Sequence, residues 1–203
     1  MGPAATYALM TFLVGLLALL GWIYATYDNP RGIKILKKSL LLFGLPIIFA
    51  PSQFVVFHIG MWAWVACEEA LKAFASTRER RSIDRFWLVS LFAVWELTLS
   101  KPLWGLVLAQ SAANWDRLEI VGLVYAAALP VLLHLVTAAI YAFRFSRHLW
   151  AALLASWAVH FTFNEAVSHF GMSPEPEIVE TFLLGAVLFL VLFFQPPVVV
   201  ESN

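Results

Sequence analysis

The chain has 203 residues, of which 62% are apolar and only 13% are charged, and its mean hydropathy is +0.81. This composition excludes an ordinary water-soluble domain, in which about 25% of the residues are charged. Thirteen basic residues balance thirteen acidic ones, so the net charge of zero offers no basic surface for nucleic acid. The single cysteine, Cys67, excludes an internal disulfide and a cysteine-rich zinc site. We therefore predict an integral membrane protein that binds no nucleic acid.

The apolar stretches predict seven transmembrane helices, because the core of a bilayer needs about 20 apolar residues per helix. The first stretch lacks the basic residues that precede a secretory signal, so we expect a retained helix. The uncharged region after Ser39 is too long for one span, and Pro46, Pro51 and Ser52 are expected to form the corner that divides it. The predicted helices cover residues 1–27, 34–50, 53–76, 86–108, 119–143, 149–170 and 178–194.

The expected fold is all-α, a polytopic helical bundle that forms one integral membrane domain over residues 1–203. The sequence shows no internal repeat of about 20–50 residues, so a repeat architecture is not expected. Ten of the thirteen basic residues lie in the first, third and fifth connections between the predicted helices. The positive-inside rule then predicts an N-terminus outside the membrane and a C-terminus in the cytoplasm.

Polar residues within the predicted helices define the candidate site, because a charge buried in a bilayer costs several kcal/mol. Counted at helical rise from the nearest basic connection, they all lie about 15–20 Å from the cytoplasmic edge. Four helices thus bring polar side chains to one depth. These residues are Glu68, Glu69, Glu96, His134 and His160.

The spacing of these residues predicts how they pair. Lys72 follows Glu68 by four residues and Glu69 by three, so either carboxylate can pair with it on one helix face. The other glutamate is then left as a candidate general base. His160 and Asn164 share a face at four-residue spacing. Taken singly, each of these two could equally serve to join helices. Together with the glutamates they could hydrolyse an acyl bond, because a base can activate water while donors hold the oxyanion.

Four short motifs follow one another along the chain and resemble those of the PrsW-type intramembrane proteases. That family belongs with the type II CAAX prenyl endopeptidases and the anterior-pharynx-defective scaffold subunit of γ-secretase. The resemblance covers about half of the chain, and the motif-bearing core spans about residues 53–170. The motifs are EExxK at 68–72, FAxxE at 92–96, PxxxH at 130–134 and HxxxN at 160–164.

The resemblance implies a metal-independent glutamate protease without a cofactor, embedded in the bacterial cytoplasmic membrane, that cleaves a membrane-embedded or membrane-anchored protein. Ala73 and Glu96 stand where the CAAX enzymes have arginine and histidine, which favours the PrsW side. Ser100 departs from the PrsW pattern, which has an aromatic residue there. The implied catalytic residues are Glu68, Glu69, His134, His160 and Asn164, with Lys72 and Glu96 in supporting roles.

Other functions fit parts of the same pattern. A non-catalytic scaffold or pseudoprotease is the main alternative, since the γ-secretase subunit keeps related histidines. A zinc hydrolase could use His134, His160 and a glutamate, although no HExxH helix is present. A proton-coupled transporter would also place glutamates and histidines at mid-depth, but no inverted repeat is evident.

Overall fold

The structure, a computed structural model, describes residues 3–44, 46–47, 61–102, 120–145 and 148–170, together with positions 184, 185 and 187. These residues form six helices and no strand, which confirms the predicted all-α class. The helices are α1 (Pro3–Thr26), α2 (Pro30–Ser39), α3 (Met61–Ser76), α4 (Ser82–Trp95), α5 (Ile120–Ala139) and α6 (Leu149–Phe170). Three of them continue into π-helical turns: Leu40–Gly44 after α2, Glu96–Ser100 after α4 and Ile140–Arg144 after α5.

Two helices begin four residues before their predicted starts, α2 at Pro30 and α4 at Ser82 rather than at residues 34 and 86. Helix α2 begins at Pro30 rather than at residue 34, because Asn29 caps it and accepts a hydrogen bond from the Arg31 backbone N–H at 3.0 Å. Pro30 then occupies the first helical position, where its missing N–H costs nothing. Of the predicted corner, Pro46 is helical, whereas residues 51 and 52 lie outside the described residues.

Within the described part of the chain, one helix is long and apolar enough to cross a membrane, over Ala8–Thr26 with a mean hydropathy of 2.1. Its outer face presents large apolar side chains, and Leu17 is 68% exposed. Such a face suits contact with hydrocarbon better than contact with water, which supports membrane association. The predicted seventh helix is described only at positions 184, 185 and 187, all of which are helical.

The basic connecting segments meet at one end of the bundle. The Lys38 ammonium of α2 pairs with Glu79, between α3 and α4, and Arg31 lies 3.4 Å from Asp84. Arg85 donates a hydrogen bond to the Tyr141 carbonyl at 3.4 Å, which joins the end of α5 to the same place. These contacts bring the first and third connections and the end of α5 together on one side of the bundle.

Helix α4 lies at the centre of the described bundle and packs against α1, α2, α3 and α5. Helix α3 packs against α4 and α6, and α6 contacts α5. Two apolar clusters fill the interior, one around Phe43 and Phe92 between α2 and α4, and one around Leu133 and Tyr141 beside α6. The polar residues of α3 therefore lie between α4, α5 and α6, the helices that carry the remaining candidate residues.

A tight contact between α1 and the π-turn after α4 predicts that a larger side chain at Gly15 destabilises the protein. A β-carbon on Gly15 would lie 2.5 Å from Thr98 Oγ1 and 2.8 Å from the Thr98 backbone nitrogen, so the backbone would have to shift. We expect Gly15→Ala to lower the free energy of unfolding by about 1–3 kcal/mol, measured by denaturant titration in micelles. Gly21→Ala is the matched control because nothing lies within 4 Å of its β-carbon. We expect it to stabilise the helix by up to about 1 kcal/mol, and equal stability of the two variants would contradict this packing.

Candidate active site

The structure brings six of the seven predicted site residues into one connected network. Helix α3 contributes two glutamates and a lysine, the π-turn after α4 begins with a glutamate, and α5 and α6 contribute one histidine each. The network is almost completely buried, and the side chains of two of its members are 0% exposed. The six residues are Glu68, Glu69, Lys72, Glu96, His134 and His160.

The Glu69 carboxylate is fully engaged by donors from three helices. Its Oε1 lies 2.5 Å from Lys72 Nζ and 2.8 Å from His160 Nδ1. Its Oε2 accepts a hydrogen bond from the hydroxyl of Ser156 and lies 3.2 Å from the hydroxyl of Tyr141. A buried carboxylate held by so many donors is stabilised as an anion. Of the two glutamates that could pair with Lys72, the structure therefore selects Glu69.

Lys72 and His134 connect Glu69 to the π-turn of α4. The Lys72 ammonium also lies 2.9 Å from His134 Nδ1 and 4.7 Å from the centre of the Phe92 ring. Because a protonated lysine only donates, Nδ1 of His134 must accept, and the proton of the neutral ring is then on Nε2. That nitrogen lies 2.6 Å from Glu96 Oε2. Both ring nitrogens of His134 are thus occupied.

Glu96 ends this part of the network at a more accessible position. It is the first residue of the π-turn, its side chain is 17% exposed, and its Oε1 lies 3.6 Å from Lys101 Nζ. A π-turn widens the helix by one residue and commonly occurs where a side chain must be placed for function. The turn here places Glu96 between His134 and Lys101.

Glu68 differs from its neighbour Glu69 in that no described residue donates a hydrogen bond to its Oε2. This oxygen is buried and lies 3.7 Å from His160 Nε2. The separation is too long for a direct hydrogen bond. His160 donates through Nδ1 to the Glu69 carboxylate, and its second nitrogen, Nε2, faces Glu68. The Glu68 carboxylate and Nε2 of His160 are thus the groups that are not engaged by hydrogen bonds to the other residues of the network.

The charges of the network balance with one additional proton. Its three carboxylates face two ammonium groups, those of Lys72 and Lys101. Unbalanced charge in a buried site is costly, so the network becomes neutral when Glu68 takes up one proton. Acceptance of a proton by Glu68 therefore relieves the excess negative charge.

Asn164 is the predicted site residue that the structure leaves apart. It lies one turn beyond His160 on α6 and is partly exposed, and within the described residues no hydrogen bond joins it to the network. Two buried residues that were not predicted, Tyr141 and Ser156, contact the network instead. Ser156 precedes His160 by four residues, so helical spacing could have identified it.

The donor set does not form a metal centre in the part of the chain that the structure describes. No group of three or more His, Cys, Asp or Glu side chains there is arranged to hold a metal ion. Both nitrogens of His134 are occupied and the Lys72 ammonium lies beside it, so a cation at this position would be repelled. A set of His134, His160 and a glutamate therefore does not fit zinc in this arrangement.

No protein-family model, no curated protein and no solved structure matches this chain. The fold and the site define a helical bundle with a buried network of glutamates and histidines. The geometry of that network is therefore the basis for assigning a function.

Proposed function

We propose that this protein is a PrsW-type glutamic intramembrane protease, in the superfamily of the type II CAAX endopeptidases. It is a seven-helix protein of the bacterial cytoplasmic membrane, with its N-terminus outside and its C-terminus in the cytoplasm. Its substrate is a membrane-embedded or membrane-anchored protein. Supporting this proposal, the charged and histidine residues of the four motifs lie in one network inside the bundle, although they come from four helices.

One observation carries the proposal: a buried carboxylate oxygen of Glu68 has no hydrogen-bond partner among the described residues and lies 3.7 Å from His160 Nε2. A satisfied structural network would leave no such group, because an unpaired buried acceptor costs about 1–3 kcal/mol. Strain and unsatisfied groups of this kind are typical of functional sites. We assign Glu68 as the general base, and Glu69 as the anion that orients Lys72 and His160.

The hydrolytic step follows from this assignment. Glu68 accepts a proton from a water molecule, and the water oxygen attacks the carbonyl carbon of the scissile peptide bond. Nε2 of His160, which carries no proton when the ring is protonated at Nδ1, accepts the second hydrogen of this water and orients it, while the side-chain amide of Asn164 donates to the oxyanion of the tetrahedral intermediate. When the C–N bond breaks, the proton held by Glu68 passes to the leaving nitrogen, giving a free amine and a carboxylic acid that together carry both protons of the water, and the Glu68 carboxylate is restored. Apart from the water and the substrate, this sequence uses only groups of the chain.

His134 receives a different role from the one the motif suggests. Because its nitrogens are bound to Lys72 and Glu96, it orients these two groups and does not contact the oxyanion. Asn164 lies on the same face of α6 as His160, one turn farther along, where a bound substrate could reach it. Its contribution would then be made to the substrate and not to the network.

The main alternative is a non-catalytic membrane scaffold. The extensive pairing of Glu69 favours it, because a satisfied polar network also joins helices and specifies their packing. A scaffold should form a stable complex with another membrane protein, and that complex should survive Glu68→Gln. A transporter should instead show proton-coupled flux in vesicles without proteolysis.

The proposal is tested with the purified protein in lipid nanodiscs and a panel of single-span membrane proteins. We expect discrete cleavage products, identified by mass spectrometry, whose yield is unchanged by a chelator. Loss of cleavage with the chelator and its return with zinc would replace the glutamate mechanism by a metal mechanism. Absence of cleavage across the panel, together with a stable complex with one of its members, would favour the scaffold.

A further inference from the structure

Two hydroxyl groups that no motif contains hold the Glu69 carboxylate from the side opposite Lys72. The Ser156 hydroxyl of α6 donates to Glu69 Oε2, and both residues are 0% exposed. The Tyr141 hydroxyl lies 2.9 Å from the Glu69 backbone carbonyl oxygen and 3.2 Å from Oε2. Tyr141 therefore bridges the main chain and the side chain of one residue, which restricts the rotamer of that side chain.

This restriction determines which way the other oxygen of Glu69 faces. With Oε2 held by two hydroxyl groups, Oε1 is left for Lys72 Nζ and His160 Nδ1. A carboxylate can only accept, so His160 must carry its proton on Nδ1. Its Nε2 is then the nitrogen that faces Glu68. The protonation pattern of His160 thus depends on groups that do not touch His160.

The backbone supports this arrangement through the second π-turn of the site. Tyr141 lies in the turn Ile140–Arg144, where the helical register of α5 changes. The Arg85 guanidinium donates to the Tyr141 carbonyl at 3.4 Å and fixes the turn from α4. π-turns commonly occur where one side chain must be placed away from the regular helical position. Here the turn brings a buried tyrosine hydroxyl to Glu69.

We infer that Ser156 and Tyr141 are positioning residues that fix the Glu69 carboxylate. The fixed carboxylate keeps the proton of His160 on Nδ1 and leaves Nε2 unprotonated where it faces Glu68. The inference rests on the proposed function for its catalytic consequence. The tautomeric state of His160 can be measured without any substrate. Failure of the inference and failure of the proposed function are therefore distinguishable.

The test uses full-length protein labelled with ¹⁵N-histidine, with the His134 and His160 signals assigned from His134→Asn and His160→Asn variants. In the wild type we expect His160 to be protonated at Nδ1. In Ser156→Ala and in Tyr141→Phe we expect a measurable shift toward the Nε2-protonated tautomer. The His134 signals serve as an internal control, because His134 is held by Lys72 and Glu96 and should change little.

Turnover provides the second readout. We expect kcat to fall about 10- to 100-fold in Ser156→Ala and Tyr141→Phe with KM unchanged, because a misplaced catalytic group slows the step without weakening binding. Ser156→Thr keeps the hydroxyl and should recover both the tautomer and most of kcat. Ser90→Ala is the matched control, since Ser90 is buried but donates to the Phe86 carbonyl of its own helix.

The possible outcomes distinguish failure of the inference from failure of the proposed function. A wild-type tautomer of His160 in both variants, with kcat no lower than in Ser90→Ala, would overturn the inference while leaving the protease intact. A shifted tautomer in a protein that cleaves nothing would support the positioning role and reject the proposed function. If Ser156→Ala does not fold, Tyr141→Phe decides the question, because it keeps the aromatic ring and removes only the hydroxyl.

Discussion

Glu68→Gln should reduce kcat by about 10²–10⁴-fold, the range expected when a general base is lost. Glutamine keeps the size and shape of the side chain but cannot accept the proton of the attacking water. We expect thermal stability to stay the same or to rise, because the substitution replaces a buried charged group, whose Oε2 has no hydrogen-bond partner among the described residues, by a neutral amide. The measurement combines product formation with thermal unfolding of the same preparations. Opposite changes in activity and stability are typical of catalytic groups.

Two neighbouring substitutions serve as controls for Glu68→Gln. Cys67→Ser alters the adjacent exposed side chain and should leave both activity and stability near wild type. Glu69→Gln should lower both, because it removes the charge that Lys72 and His160 bind. Wild-type turnover in Glu68→Gln would reject the assignment of the base. If Glu68→Gln loses as much stability as Glu69→Gln, the two carboxylates are equally well paired, which would contradict the difference between them described above.

Lys72→Met should destabilise the protein by about 3–5 kcal/mol, which is the usual effect of removing one partner from a buried ion pair. Lys72 is 0% exposed and donates to both Glu69 and His134. Methionine has a similar volume, so the loss comes from uncompensated charge and not from a cavity. The measurement is denaturant-induced unfolding in micelles.

A double-mutant cycle tests whether the destabilisation by Lys72→Met comes from uncompensated charge. Lys34→Met changes an exposed lysine of α2 and should alter stability by no more than about 0.5 kcal/mol. The double variant Glu69→Gln with Lys72→Met should be more stable than the sum of the single effects predicts, because it leaves no unpaired charge. Additive effects would show that Lys72 and Glu69 do not interact, contrary to their 2.5 Å separation.

Helical spacing and bilayer thickness predicted much of this arrangement. The coincidence in depth of Glu69, His134 and His160 followed from counting residues at helical rise, and the structure places these side chains in contact. The start of α2 could also have been predicted, since Asn29 followed by Pro30 is a typical N-terminal pair. These features depend on local sequence and on one regular periodicity.

Other features depend on tertiary contacts that spacing does not specify. Both glutamates are within reach of Lys72 on one helix, and donors from other helices, His160 and the hydroxyl groups of Ser156 and Tyr141, select Glu69. Tyr141 could not be placed by a 3.6-residue period because it lies in a π-turn. The engagement of His134 on both nitrogens likewise requires Lys72 and Glu96 from two further helices.

The most direct test of the account is an experimental structure of the protein in lipid, at a resolution that shows ordered water. We expect a water molecule within hydrogen-bond distance of both Glu68 Oε2 and His160 Nε2, with Glu69 bound to Lys72 as described here. A Glu68 carboxylate paired with another side chain, or turned away from His160 toward the hydrocarbon, would contradict the assignment of Glu68 as the base that activates water.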